Sequence, residues 1–318
     1  MNEAPGLGLH RFAVLTAGAT FVLLFVGGLV TSTGSGLAVP DWPLANGQFF
    51  PEMVGGVLFE HGHRLAASAV GFLTLVLADW IVVREPRPAV RLLGLAALAA
   101  VILQGVLGGI TVLYKLPLAV SVTHACLAQI FFCLTITLAV LTGPAWISGR
   151  TVATDAGRPS LALLAGGTVA LVFGQILLGA LTRHMKAGLA IPDFPLAFGQ
   201  IVPPLVTPHI TVHFAHRVGA LLVCAAVAAL LVRVERQHRT IAALRRPARL
   251  AAALVALQIC LGALTIWTAR AVVPTTTHLV VGAGILGTCL VLALRAHRML
   301  ARTHRVPAVR TEPARALA

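Results

Sequence analysis

Charge is scarce in this chain of 318 residues: only 11% are Asp, Glu, Lys or Arg, against roughly a quarter in an ordinary soluble domain. With 58% hydrophobic residues, that scarcity excludes a soluble enzyme, a disordered tail and a nucleic-acid-binding module. Cysteine is also sparse. Cys126, Cys133, Cys224, Cys260 and Cys289 all fall within apolar stretches, and no CxxC or close Cys/His cluster exists. A disulfide framework and a zinc site are therefore excluded, and the thiols read as small buried hydrophobes. Acidic residues number 10 against 24 basic ones, a net charge of +14. Basic residues beside long apolar runs set membrane orientation rather than DNA binding.

Eight stretches reach the roughly 20 apolar residues that a bilayer crossing needs: 12–32, 58–83, 92–113, 117–142, 160–182, 210–234, 250–269 and 274–296. The first is too long to be a removable signal peptide and lacks a small-residue cleavage site. Arg11 precedes the first span. Arg84, Arg87 and Arg91 follow the second, Arg150 and Arg158 the fourth, six arginines from Arg233 to Arg249 the sixth, and six from Arg295 to Arg315 the eighth. These 18 of 24 basic residues lie on one side, while Lys115, Arg183, Lys186 and Arg270 lie on the other. By the positive-inside rule both termini are cytoplasmic. The expected protein is an all-α integral membrane protein in a lipid bilayer, the bacterial cytoplasmic (inner) membrane.

The chain is internally repeated. GLAVPDWPLANGQFFP (Gly36 to Pro51) returns as GLAIPDFPLAFGQIVP (Gly188 to Pro203), EHGHR (Glu60 to Arg64) aligns with HFAHR (His213 to Arg217), and LQGVLGGIT (Leu103 to Thr111) with LQICLGALT (Leu257 to Thr265). Two tandem four-helix bundles follow, residues 1–142 and 160–318, joined by a cytoplasmic linker at 143–159. The second ends in a basic cytoplasmic tail. Four spans return the chain to its starting side, so a pseudo-two-fold along the membrane normal is expected to relate the halves. The prolines flanking Asp41–Trp42 and Asp193–Phe194 stiffen the outer loops, which read either as rigid interfacial caps or as lids over a ligand.

Ionisable residues within spans are costly and mark function. His63, His124, His216 and His278 lie a few residues inside spans 2, 4, 6 and 8, all at one depth below the outer face. Two facing imidazoles in a four-helix bundle are a usual way to hold six-coordinate haem iron, whereas zinc or copper wants three or four closer ligands. Arg64 and Arg217 follow their histidines directly, and either pair with haem propionates or snorkel to phospholipid headgroups. Glu60 shares a helix face with His63, yet its counterpart is His213. A carboxyl in an apolar site can move protons beside a bound iron. His61, His184 and His209 read as interfacial. Gln104, Gln175 and Gln258, in odd-numbered spans, can hydrogen-bond across the bundle.

Taken together, ExxHR in span 2, HxxHR in span 6, single histidines in spans 4 and 8 and the GLxxPDWP loop resemble haem A synthase over about residues 12 to 296. In that family a ring methyl of haem O is oxidised to a formyl group, giving haem A for terminal oxidases. The resemblance implies that His63 and His124 hold haem O as substrate, that Glu60 is the acidic residue needed for turnover, and that His216 and His278 ligate a resident haem b. It also implies molecular oxygen as oxidant, an electron donor that the chain does not identify, and haem O synthase or oxidase assembly factors as partners. Unlike members with a cysteine pair in an outer loop, this chain has no Cys in residues 33–57 or 183–209, so a thiol role there is unsupported. Four histidines alone would equally allow a di-haem b-type cytochrome oxidising quinol, but that reading gives no reason for Glu60 to lack a counterpart. A transporter with parallel repeats would want polar groups near mid-membrane, where these helices are apolar.

Overall fold

The computed structural model describes residues 6–149 and 151–302. Among the described residues, eight helices are long and apolar enough to cross a membrane: α1 (Leu7–Ser32), α2 (Gly55–Arg84), α3 (Pro88–Leu113), α4 (Leu118–Leu141), α6 (Leu161–His184), α7 (Pro208–Gln237), α8 (Ala242–Trp267) and α9 (Val272–Met299). A short turn of helix, α5 (Pro144–Ile147), lies between the fourth and fifth of these. Long apolar runs take this form because a helix satisfies its own backbone polar groups where no water can.

Several helices overrun their apolar windows. α8 starts at Ala242 rather than near residue 250, so Arg245, Arg246 and Arg249 lie on helix, and Arg249 pairs with Glu235 of α7 at 2.6 Å. Arginine is a good helix former, so the backbone spiral continues past the point where the apolar run ends. Proline at the first turn of α3 and α7 starts those helices without forfeiting a bond. Ser160 and Thr207 cap α6 and α7 by accepting the amides of Leu163 and Ile210.

One core cluster, including Leu9, Leu77, Ile81 and Leu138, is built from α1 to α4. A second and a third join α6 to α9, around Val227 and Leu286 and around Leu161, Leu230 and Leu292. The two groups of helices meet where α1 and α4 pack on α9 and α4 packs on α6. There Gly28 lies against Thr276, and Ser32 accepts hydrogen bonds from the Thr276 hydroxyl and the Arg183 guanidinium, both at 2.8 Å. This arrangement fits the expected pseudo-two-fold.

Described residues of the connection between the fourth and fifth spans form a short helix and a strand. β1 (Ala153–Asp155) runs parallel to β2 (Leu300–Arg302), a short ladder in an otherwise mainly helical structure. Asp155 accepts the amides of Gly157 and Leu161 and pairs with Arg233. Of the arginines expected after the eighth span, Arg305, Arg310 and Arg315 lie outside the described residues, as does Arg150 of the linker.

Candidate functional site

Each of the four histidines stands on an even-numbered span, near the end of the bundle that carries the two long loops. At about 1.5 Å per residue, His63 and His216 lie about 12 Å along α2 and α7, and His124 and His278 about 9 Å along α4 and α9. His63, His216 and His278 lie two or three residues farther into their helices than the apolar windows imply, because α2, α7 and α9 begin earlier, whereas α4 begins one residue later than its window. The His216 and His278 rings face each other, with centroids 6.4 Å apart and planes inclined at 66°.

A glycine on a neighbouring helix seats every one of these rings. A methyl carbon on Gly27 of α1 would come within 3.0 Å of the His63 Cε1, and one on Gly108 of α3 within 3.3 Å of the His124 Cε1. In the second half Gly179 of α6 and Gly262 of α8 would meet the Cε1 atoms of His216 and His278 at 3.1 and 3.3 Å. Interiors have no slack for such a carbon, so the absent side chains admit the imidazoles. The seats are repeat-related: Gly108 and Gly262 occupy one position in the two copies of the LQ motif. Glutamine amides add a second element, Gln104 donating to the His124 carbonyl and Gln258 to the His278 carbonyl, both at 2.9 Å. Gln175 donates to the His216 carbonyl at 2.7 Å and lies 3.0 Å from its Nδ1.

The two loops close over these pairs by matching contacts. In the first, Asn46 and Gly47 have φ of 53° and 73°, and Ala45 bridges Gln48; Phe198, Gly199, Ala197 and Gln200 repeat this. Two successive left-handed residues make the tight hairpin turn for which Asn-Gly is a strong local signal. Asp41 accepts the amides of Asn46 and Gly47 at 2.7 and 2.8 Å, and Asp193 those of Phe198 and Gly199 at the same distances. These amides, Gly47 and Gly199 foremost, hold both carboxyls below the usual aspartate value.

Arg64 and Arg217 fasten the loops from below. Arg64 donates to the carbonyls of Asp41, Leu44 and Val39, and Arg217 to those of Asp193, Leu196 and Ile191. Glu60 is buried: one oxygen accepts from Arg64 at 2.7 Å and the other from the Val39 amide at 2.8 Å. His213 does the corresponding work in the second half, its Nδ1 accepting the Ile191 amide at 3.3 Å. The positions of Glu60 and His213 thus share a loop-holding task, and a buried carboxylate is what sets the first apart. Aromatic packing differs in step. Trp42 lies so close over Gly109 that a methyl carbon there would fall 2.6 Å from its ring, whereas Phe194 packs on Trp267 and under Arg217.

This donor set fits a metal that brings most of its own ligands. Two imidazole nitrogens at about 2 Å from one ion put the ring centres roughly 6 Å apart, close to the His216–His278 spacing. Among the described residues, none of the four Nε2 atoms hydrogen-bonds to protein, and the Nδ1 atoms of His63, His124 and His278 are buried without a partner. No group of three or more His, Cys, Asp or Glu suited to a bare ion occurs among those residues. Two axial ligands per site suit a porphyrin-held iron.

The structure departs from the expectations at the margins of these sites. His61 is not solvated at the interface: it is buried, with its Nε2 bonded to the Phe49 carbonyl of the outer loop at 3.0 Å. His209 is exposed. Sequence reasoning missed the four glycine seats, although the repeat places two of them in one aligned motif. It also missed the Asp41 and Asp193 turns, which the Asn46–Gly47 pair signals.

Residues 52–291 match the COX15-CtaA family profile, described as cytochrome oxidase assembly protein. A protein of Symbiobacterium thermophilum named heme A synthase is 32% identical over 259 residues, 79% of this chain and 84% of that one. Heme A synthase of Geobacillus kaustophilus is 29% identical over 302 residues, covering 91% and 93%. That of Shouchella clausii is 31% identical over 220 residues, covering 68% and 72%.

Proposed function

Because this chain belongs to the haem A synthase family of cytochrome oxidase assembly proteins, we propose that it oxidises a ring methyl of haem O to a formyl group, making haem A for terminal oxidases. The observation that carries this reading is the inequality of two otherwise matched histidine frames: one has the Glu60 carboxylate at the loop contact, the other His213. A cytochrome that only passed electrons would have no use for that difference.

In this reading the amino-terminal half, residues 1–142, binds haem O between His63 and His124. The carboxy-terminal half, residues 160–318, keeps haem b between His216 and His278, joined to the first through 143–159. The resident haem supplies one-electron redox chemistry beside the substrate. Two successive hydroxylations convert the methyl to a geminal diol, which loses water to give the formyl group. Each takes up O₂, two electrons and two protons, and releases one water. The electrons come from a separate donor.

The chain's own contributions are positional and protonic. Gly27 and Gly108 let the two imidazoles stand close to their neighbouring helices, and Arg64 and Arg217 hold the loops over the sites and would place guanidinium groups near the propionates of a bound haem. Glu60, ion-paired and buried at the loop, holds or moves a proton beside the substrate. The distribution of arginines supports cytoplasmic termini, with both sites toward the outer face of a bacterial inner membrane. Haem O synthase and oxidase assembly factors are the partners that would deliver substrate and take product. Expression in a host that makes haem O but no haem A, followed by mass analysis of extracted haems, tests this reading. Haem A should appear with the wild-type chain and disappear with His63→Ala; no haem A above the empty host would refute it.

A further inference from the structure

Arg183, in the last turn of α6, reaches across the seam between the two groups of helices. Its Nη2 donates to the Gly28 carbonyl of α1 at 2.9 Å and to the Ser32 hydroxyl at 2.8 Å. Both partners are neutral. None of the ion pairs among the described residues includes Arg183. Three carboxylates at the same end of the bundle are engaged elsewhere, Glu60 by Arg64 and the Val39 amide, Asp41 and Asp193 by the amides of their turns. A cation within a span and without a counter-charge is costly, and such residues mark function.

Two bonds from one nitrogen leave Nε and Nη1 without a protein acceptor among the described residues, and neither atom is sealed from its surroundings. A guanidinium presents its N–H donors as a planar fork that matches a carboxylate. This fork lies near the carboxy-terminal histidine pair. Arg183 stands one turn outward of Gly179, the seat of His216, on the same face of α6. Ser32, which Arg183 holds, also accepts from Thr276, two residues before His278 on α9. The repeat-related residue of the first half is Thr31, whose hydroxyl turns back to the Gly27 carbonyl of its own helix at 3.4 Å. Arg217 cannot substitute, because its two terminal nitrogens are spent on three loop carbonyls and its Nε is buried. The repeat thus sets an unspent cation beside one histidine pair and a neutral hydroxyl beside the other.

We infer that Arg183 is the carboxylate receptor of the carboxy-terminal site: Nη2 anchors the guanidinium to α1, and the rest of the fork takes a propionate of the haem between His216 and His278. The inference rests on the proposed reading that this pair holds haem. It adds a reason for one haem to stay while the other is converted and released. The resident carboxylate is tied to the seam, so its binding fastens the two halves together, whereas the first half offers only Thr31 at the matching place.

The test pairs a protein change with a ligand change. His63→Ala protein, which keeps a single complete histidine pair, is purified haem-free in detergent with Arg183 intact, as Arg183→Gln and as Arg183→Lys. Each is titrated with haem B and with its dimethyl ester, which lacks the carboxylate charge. Glutamine retains a donor for Gly28 and Ser32 without the charge, and lysine retains the charge. A hydrogen bond to a charged group corresponds to a factor of roughly 10 to 150 in affinity. With Arg183 intact, haem B should bind tighter than the ester, and Arg183→Gln should erase about that factor of the preference by weakening haem B alone. Its midpoint potential should fall, since a nearby cation disfavours ferric haem. Arg183→Lys should keep most of the preference, as should Arg270→Gln, which removes an exposed charge from the same end of the second half. An undiminished preference in Arg183→Gln, with helix content intact by circular dichroism, would overturn the inference while leaving the proposed function standing. Equal binding of haem B and its ester with Arg183 intact would overturn it without any variant at that position. Absence of a low-spin bis-histidine spectrum with either ligand would overturn the proposed reading as well.

Discussion

Gly179→Ala isolates the seating of one imidazole. The added carbon falls 3.1 Å from the His216 Cε1, a few tenths of an ångström inside ordinary carbon–carbon contact at about 3.5 Å. The ring cannot retreat freely, because Gln175 holds it from the same helix. Overpacking of this kind costs about 1–3 kcal/mol, and the gain in helix propensity from Gly to Ala returns roughly 0.8–1 kcal/mol to folding. Thermal stability of the haem-free protein should therefore change little. If His216 ligates haem as proposed, the haem-bound state, in which the ring must stand at its ligating position, bears the strain in full. At 1.4 kcal/mol per factor of ten, about 1–3 kcal/mol is roughly a 5- to 150-fold loss of haem affinity. Transfer of haem to apomyoglobin measures it, with Gly166→Ala on the same helix as control, since nothing lies within 4 Å of that position. Equal haem loss from the two variants would show that the close approach of Gly179 does not position His216.

Arg64→Ala should destabilise more than Arg217→Ala, although both lose three loop carbonyls, because only the first strands a buried carboxylate, Glu60. Breaking such a pair costs about 3–5 kcal/mol, and thermal unfolding in detergent should order the two variants accordingly. Glu60→Gln keeps an acceptor for the Val39 amide and removes the charge; haem O or its hydroxylated intermediate should accumulate at the expense of haem A, with the b-type haem retained, and wild-type haem A would remove Glu60 from the chemistry. The Asp41 and Asp193 carboxyls are depressed by the amides they accept, so their hold on the turns is complete above the ordinary aspartate value of 3.8 and is lost as pH falls through the lower folded value. Protease sensitivity of the loops should thus rise only below pH 3.8, and Asp41→Asn should abolish that dependence in the first loop.

The spans were legible because bilayer crossing imposes a long apolar run, and the repeat because Gly36 to Pro51 and Gly188 to Pro203 share most of their residues. Helix ends were less so: Arg245 and Arg249 look like loop residues by hydropathy, but a polar helical turn costs nothing at the membrane boundary. The four histidines stood out as ionisable groups in apolar spans. Their supports did not, since a glycine such as Gly27 in an apolar helix carries no mark of what it faces, and its meaning appears only when the His63 ring is seen against it. Glu60 was identified by its lack of a counterpart, whereas its bond to the Val39 amide depends on a loop path that no local pattern specifies. Arg64 and Arg217 show the same limit: their charge at the outer end was readable, but the loop carbonyls that engage them were not.

The central claim is that two histidine frames of one build hold two different haems. Extraction of the pigment from purified protein and identification of its haems by mass tests it most directly: haem B together with haem O or haem A is the predicted result. Haem B alone would identify a di-haem cytochrome, and no haem at all would contradict the reading of all four histidines.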